Sequence, residues 1–234
     1  MKPSSLFLCH CLGLAWYAFL VHVIRQTEKR GKFDDFAAYG GPWQFLTVLN
    51  LVLQAFFYGF SLLADAFVLL KKYRIAKSMF SFRDLIFAGM AFPTSVFVGI
   101  SFWTLYLYDR ELVYPHSIDT VIDIWMNHAM HTLLLPLILL EMLITPRRYP
   151  SKGKGLGLAI TAVSAYMCWM LWIYSVSGRW PYPLFQGLSH FSIVIVFLVS
   201  TAIYLLIYNT GEFLCRMIWG DTIVILDIYK KKSK

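Results

Sequence analysis

The chain has 234 residues, of which 59% are hydrophobic, 18% aromatic and only 15% charged, with a net charge of +8. So apolar a composition cannot hide its surface within one water-soluble core, which excludes a soluble globular domain. The basic residues are spread over short loops and a YKKKSK tail, and no groove pairs them with stacking aromatics. They suit anionic lipid and argue against nucleic-acid binding.

Apolar runs of about 20 residues, enough for an α-helix to cross the hydrocarbon core, recur along the chain. The first, Ser5 to Ile24, follows Lys2 as a signal peptide would. It is long and lacks a clean small-x-small cleavage site, so it reads as a retained anchor. Then come Trp43 to Leu70, Phe82 to Tyr108, Ile118 to Ile144, Leu156 to Val176 and Leu188 to Tyr208. The alternating segments of a membrane barrel are absent. The expected fold is all-α: a polytopic membrane protein with six helices in one bundle and a single domain over residues 1–234.

Both termini are expected in the cytoplasm, because that leaves only Arg25, Lys29, Arg30, Lys32, Arg110 and Arg179 of the basic residues outside. The first loop, RQTEKRGKFDDFAAYGG, runs against this rule. Its acidic residues Glu28, Asp34 and Asp35 count for little in setting orientation. The cysteines Cys9, Cys11, Cys168 and Cys215 lie in or beside spans without metal-ligand spacing. They read as small hydrophobes, with palmitoylation of Cys9 and Cys11 as the alternative.

The second run carries Thr47, Asn50, Gln54, Tyr58, Ser61 and Asp65 at offsets of 0, 3, 7, 11, 14 and 18. These positions follow one face of a helix from end to end. An unpartnered polar group in hydrocarbon costs several kcal/mol, so this face should turn toward other helices or a wet cavity. The plain role for Asn50, Gln54 and Ser61 is hydrogen bonding between helices, and Asp65 is close enough in sequence to pair with Lys71 or Lys72.

The fourth run holds a second polar cluster, WMNHAMHT. Asn127 and His131 are four apart, as are His128 and Thr132, so one helical sector carries them all. With the span taken from Trp125, His131 lies about six residues, or roughly 9 Å, below the outer boundary. Thr47 lies roughly 6 Å below the same boundary on the second run. A hydroxyl and an imidazole at similar depth on inward sectors suit a nucleophile and its base. The alternatives are ordinary: core histidines bonded to carbonyls, and a threonine bonded to its own helix.

The H-x-x-H form of HAMH also occurs in membrane metalloenzymes. Such centres need further ligands, and His10, His22, His116 and His190 form no second box, so neither a metal nor another cofactor is expected. No G-x-S-x-G elbow and no nucleotide-binding glycine motif is present. The broken helices and internal repeat of a transporter are not visible either.

GGPWQFLTVLN, FRDLIFAGMAFP, YDRELVYP, WMNHAMHT and YPS, in this order, resemble the androgen-induced and androgen-dependent transmembrane proteins over roughly residues 16–211. The resemblance implies a multipass threonine hydrolase that cleaves fatty acid esters of hydroxy fatty acids (FAHFAs). It assigns the nucleophile to the Thr of W-x-F-L-T, here Thr47, and the partner to the second His of N-H-x-M-H-T, here His131. It also implies a regulatory effect on a coagulation inhibitor at the endothelial surface. Asn50, Gln54 and Asn127 are then the candidate oxyanion donors, and His128 a candidate for the substrate carboxylate. Expected partners are the lipid ester and membrane lipids, with no nucleic acid. The competing reading is a non-catalytic membrane regulator or scaffold. The closing KKSK has the dilysine form of endoplasmic reticulum return, whereas the resemblance points to the plasma membrane.

Overall fold

The computed structural model describes residues 2–30 and 39–232, with side chains described through Gly220. Lys32, Asp34 and Asp35 of the first loop, and the KKSK end, lie outside the described side chains. Among the described residues there are eight α-helices and no strand. These are α1 (Pro3–Lys29), α2 (Leu46–Leu69), α3 (Tyr73–Ile86), α4 (Phe92–Asp109), α5 (Ile124–His131), α6 (Leu134–Ile144), α7 (Lys152–Ser177) and α8 (His190–Lys232). They form six segments long and apolar enough to cross a membrane. In the third, α3, a π turn over Phe87–Ala91 and α4 run on as one rod, and in the fourth α5 and α6 follow each other.

Apolar periodicity misjudges several ends: the first helix runs on to Lys29 rather than stopping at Ile24, and the fourth segment starts at Ile124 rather than Ile118. The third segment begins at Tyr73 rather than Phe82, because the opening turns of α3 carry Arg74 and Lys77 and are largely exposed. The last helix continues well past Tyr208.

The polar face of α2 does turn inward. Asn50, Gln54, Tyr58, Ser61 and Asp65 are buried, whereas Val52, Phe56 and Leu63 on the opposite side are exposed. Gln54 donates to Asn50 Oδ1, to Ser95 Oγ at 2.8 Å and to the Ala91 carbonyl at 3.0 Å, tying α2 to the third segment. Lipid tails are as apolar as leucine, so the buried Leu20, Leu51 and Leu134 contribute close packing more than transfer energy. Interhelical hydrogen bonds add roughly 0.6 kcal/mol each.

Two prolines explain two irregularities. In the third segment, Phe92 N–H bonds back five residues to the Phe87 carbonyl, one residue more than an α-helix allows. Pro93 then offers no N–H to the Gly89 carbonyl, which accepts from the Tyr204 hydroxyl of α8 instead. In the fourth, Pro136 has no N–H for the Thr132 carbonyl. The helix breaks there, with Leu133 N–H bonding back to His128. The unbroken helices expected from sequence are therefore interrupted directly after His131.

A buried ionic cluster closes the end of the bundle where α1 starts and α2 finishes. His10 Nδ1 meets Asp65 at 2.6 Å and its Nε2 meets Glu141 at 3.2 Å. Asp65 thus pairs with His10 across the α1–α2 interface, in place of the Lys71 or Lys72 contact expected from sequence. Arg147, fully buried, bonds Glu141 and lies 3.7 Å from the Phe87 ring centre. All four cysteines are free. Cys215 is buried and Cys9 partly so, while Cys11 and Cys168 are exposed.

Candidate active site

The start of α2 is built by local sequence. Gly40 and Gly41 take φ of 81° and 53°, a left-handed path that suits glycine, and a 3-10 turn over Gly41–Gln44 follows. Phe45 is extended at the helix cap, so α2 begins at Leu46 and Thr47 is its second residue. The first amides of a helix have no acceptor within it. Leu46 N–H is satisfied from outside, by the hydroxyls of Tyr166 at 3.0 Å and Tyr182 at 3.1 Å. Tyr166 in turn donates toward the Gln44 carbonyl, and Trp169 Nε1 donates to the Trp43 carbonyl. Helix α7 and the loop after it therefore fix this helix start from both sides.

His131 ends α5, and three contacts hold its ring. Its Nδ1 has the Asn127 side-chain oxygen at 2.6 Å and the Asn127 main-chain oxygen at 3.0 Å. Its face stacks on Phe102, with ring centres 3.5 Å apart and planes 9° from parallel. Gly99, one turn before Phe102 on α4, allows this approach: a Cβ there would lie 3.3 Å from the His131 carbonyl oxygen.

The remaining ring nitrogen, Nε2, lies 3.2 Å from Thr47 Oγ1. Both groups facing Nδ1 are acceptors, so Nδ1 carries the hydrogen and Nε2 of the neutral ring carries the lone pair. The Thr47 hydroxyl is then the donor and the imidazole the acceptor, the polarity required of a nucleophile and its base. An amide oxygen fills the orienting position that a carboxylate holds in Ser-His-Asp sites.

Thr47 and His131 stand in the wall of a cavity of about 650 Å³ bounded by α2, α4, the end of α5, α7, α8 and the loop before α5. Its lining is overwhelmingly apolar, with Leu53, Phe97, Met170, Val196 and Phe197 among the walls. The size falls within the range of about 300–1,000 Å³ usual for small-molecule pockets.

The other expected site residues are placed differently. Asn50 lines the cavity, yet its side chain is engaged with Gln54 and Ser95. Gln54 is fully buried in the same helix-bridging network and does not reach the cavity. Asn127 faces His131 Nδ1, on the far side of the ring from Thr47. His128 is exposed outside the cavity, bonded to Thr132 at 3.0 Å and packed on Trp103. The two histidines of HAMH thus have separate partners, and among the described residues no three His, Cys, Asp or Glu side chains are grouped to hold a metal ion. Sequence reasoning missed the Tyr166 and Tyr182 support. The aromatic richness of α7 and SGRWPYP was visible, but the pairing with the start of α2 is long-range.

The chain matches the model of the family described as FAR-17a/AIG1-like protein over residues 5–216. It is 42% identical to the human androgen-dependent TFPI-regulating protein over 221 residues, covering 94% of this chain and 96% of that one. The protein of the same name from Mesocricetus auratus is 40% identical with both chains fully covered. The human androgen-induced gene 1 protein is 39% identical over 203 residues, covering 84% and 85%. No solved structure matches. The chain is a multipass membrane protein and belongs to the FAR-17a/AIG1-like family.

Proposed function

We propose that this protein is a membrane-embedded lipid ester hydrolase with Thr47 as nucleophile and His131 as base, acting on fatty acid esters of hydroxy fatty acids. The observation that carries the reading is the 3.2 Å contact from Thr47 Oγ1 to His131 Nε2 at the wall of a large apolar cavity. Two long acyl chains need such a cavity, and the ester between them needs a polar spot in it.

In this mechanism Thr47 Oγ attacks the ester carbonyl as its proton passes to His131 Nε2. The tetrahedral intermediate places its oxyanion toward the Thr47 main-chain N–H, a first-turn amide at the positive end of α2. The intermediate collapses to an acyl-threonine as His131 returns the proton to the departing alkoxide, which leaves as the hydroxy fatty acid. Water then attacks the acyl group with His131 again as base. This step releases the fatty acid and restores the Thr47 hydroxyl. Asn127 keeps Nδ1 protonated throughout, so Nε2 is always the working nitrogen.

The relatives' printed name, TFPI-regulating protein, supports a second reading in which the chain modulates that inhibitor without chemistry of its own. The active-site contact favours catalysis. Purified wild-type protein should hydrolyse a FAHFA and label with a fluorophosphonate probe, and Thr47→Ala and His131→Ala should lose both properties while remaining folded. Full hydrolysis by either variant refutes the assignment, and a silent wild type leaves the regulator.

A further inference from the structure

A second, smaller cavity of about 210 Å³ lies against the first and shares Phe45, Val113 and Ile118 with it. Its character is different. Gln44, Ser177, Arg179 and Gln186 contribute to its lining, and polar surface makes up much of its wall. Among the described residues Arg179 is its one charged lining residue, and it brings a positive charge to the small cavity.

Two of these residues carry donors without a partner among the described residues. Gln44 is only 4% exposed, and its side-chain nitrogen is buried without a hydrogen bond. Such an orphaned donor is costly to leave buried unless something binds it. Among the described residues no carboxylate pairs with the Arg179 guanidinium. Its backbone, by contrast, is held: Arg179 N–H donates to Ser177 Oγ at 3.2 Å, and the next residue, Trp180, stacks on Tyr174 with ring centres 4.3 Å apart. A fixed backbone carrying an unpaired cation beside an unpaired buried amide is an arrangement suited to an anion.

Position identifies the anion. Gln44 precedes Thr47 by three residues, so the two lie at most about 10 Å apart along the chain. The shared Phe45 wall makes the route between them apolar. A ligand reaching both points needs an ester at one end of a short hydrocarbon stretch and a negative group at the other.

We infer that Arg179 and Gln44 form a carboxylate-binding vestibule that holds the free acid group of a long-chain ester while its ester bond lies at Thr47. This rests on the hydrolase reading for the ester end, and on the vestibule's own chemistry for the acid end. Arg179 is suited to the task because its planar fork binds both carboxylate oxygens at once, with the Gln44 amide as a third donor. His128, the carboxylate candidate from sequence, faces away from this space.

The test compares a FAHFA as the free acid with its methyl ester on the full chain in detergent micelles. The ratio of kcat/KM for acid over methyl ester should fall about tenfold in Arg179→Gln, the factor that corresponds to 1.4 kcal/mol. Gln44→Met should lower the ratio as well, and Arg179→Lys should restore part of it. An unchanged ratio in Arg179→Gln overturns the vestibule, as does an equal loss on both substrates. Thermal shift of the Thr47→Ala protein with oleate and with methyl oleate gives an arm independent of catalysis. Oleate should stabilise this protein more than its methyl ester does, and adding Arg179→Gln should erase the difference. If the wild type hydrolyses nothing, this arm alone decides: selective oleate binding lost with Arg179 keeps the anion site while the hydrolase reading falls. Equal binding with and without Arg179 removes the site even if hydrolysis is robust.

Discussion

Replacing Asn127 with Ala separates the orientation of His131 from its chemistry. In the native site Nδ1 has two acceptors on one residue, the side-chain oxygen at 2.6 Å and the main-chain oxygen at 3.0 Å. The substitution removes the first and keeps the second, so Nδ1 still holds its hydrogen and Nε2 remains the acceptor. The ring stays stacked on Phe102 at 3.5 Å. What is lost is one neutral hydrogen bond, about 1 kcal/mol net. At 1.36 kcal/mol per factor of ten, kcat should fall about fivefold. Loss of the correct tautomer, as in a serine protease whose orienting Asp becomes Asn, costs roughly 10⁴. KM should hold, because Asn127 does not line the cavity. The assay is steady-state FAHFA hydrolysis in mixed micelles, with a melting curve to confirm folding. A folded variant as dead as His131→Ala refutes the argument that the main-chain oxygen preserves the tautomer, and one as fast as wild type refutes the contribution of the side-chain bond.

Further outcomes follow from neighbouring contacts. Gly99→Val drives methyl groups toward the His131 carbonyl and should cost about 1–3 kcal/mol of stability, with Gly99→Ala milder; melting temperature and kcat should fall together. The double variant Tyr166→Phe with Tyr182→Phe strands the Leu46 amide at a price of about 1–3 kcal/mol. It should loosen the start of α2, which faster hydrogen exchange at residues 46–48 would reveal. His10→Leu leaves Asp65 without its partner and should destabilise the protein by about 3–5 kcal/mol, the range for breaking a buried ion pair. Asp65→Asn, which keeps a group able to accept from His10, should cost less in the same unfolding assay.

The six spans and the inward face of α2 were legible because period and length are local properties of sequence. The polar stripe from Asn50 to Asp65 shows which side of α2 avoids lipid, and the structure buries those residues. That Thr47 and His131 could come within reach of each other was readable too, since turns can be counted along each run, and the two side chains meet at 3.2 Å. What spacing could not reveal is which helix a polar face meets. Asp65 has lysines six and seven residues away, yet its partner is His10, 55 positions earlier. The i to i+4 spacing of Asn127 and His131 was visible, but only ring geometry shows that Asn127 holds the His131 ring through Nδ1. Pro136 and Pro93 were in plain view inside apolar runs. Their effects depend on the exact carbonyl deprived, Thr132 in one case and Gly89 in the other, and on whether another group compensates.

The π turn at Phe87–Ala91 amounts to one surplus residue within an otherwise α-helical rod. One residue corresponds to about 100° of rotation about the helix axis. Everything on α4 is therefore phased against α3 by that inserted step, including the flat Phe102 ring and the bare Gly99 surface that receive His131. Wound as plain α-helix with every residue of FAGMA kept, the segment would swing both away from the imidazole by that step, so the irregular turn sets the azimuth of the wall that holds His131.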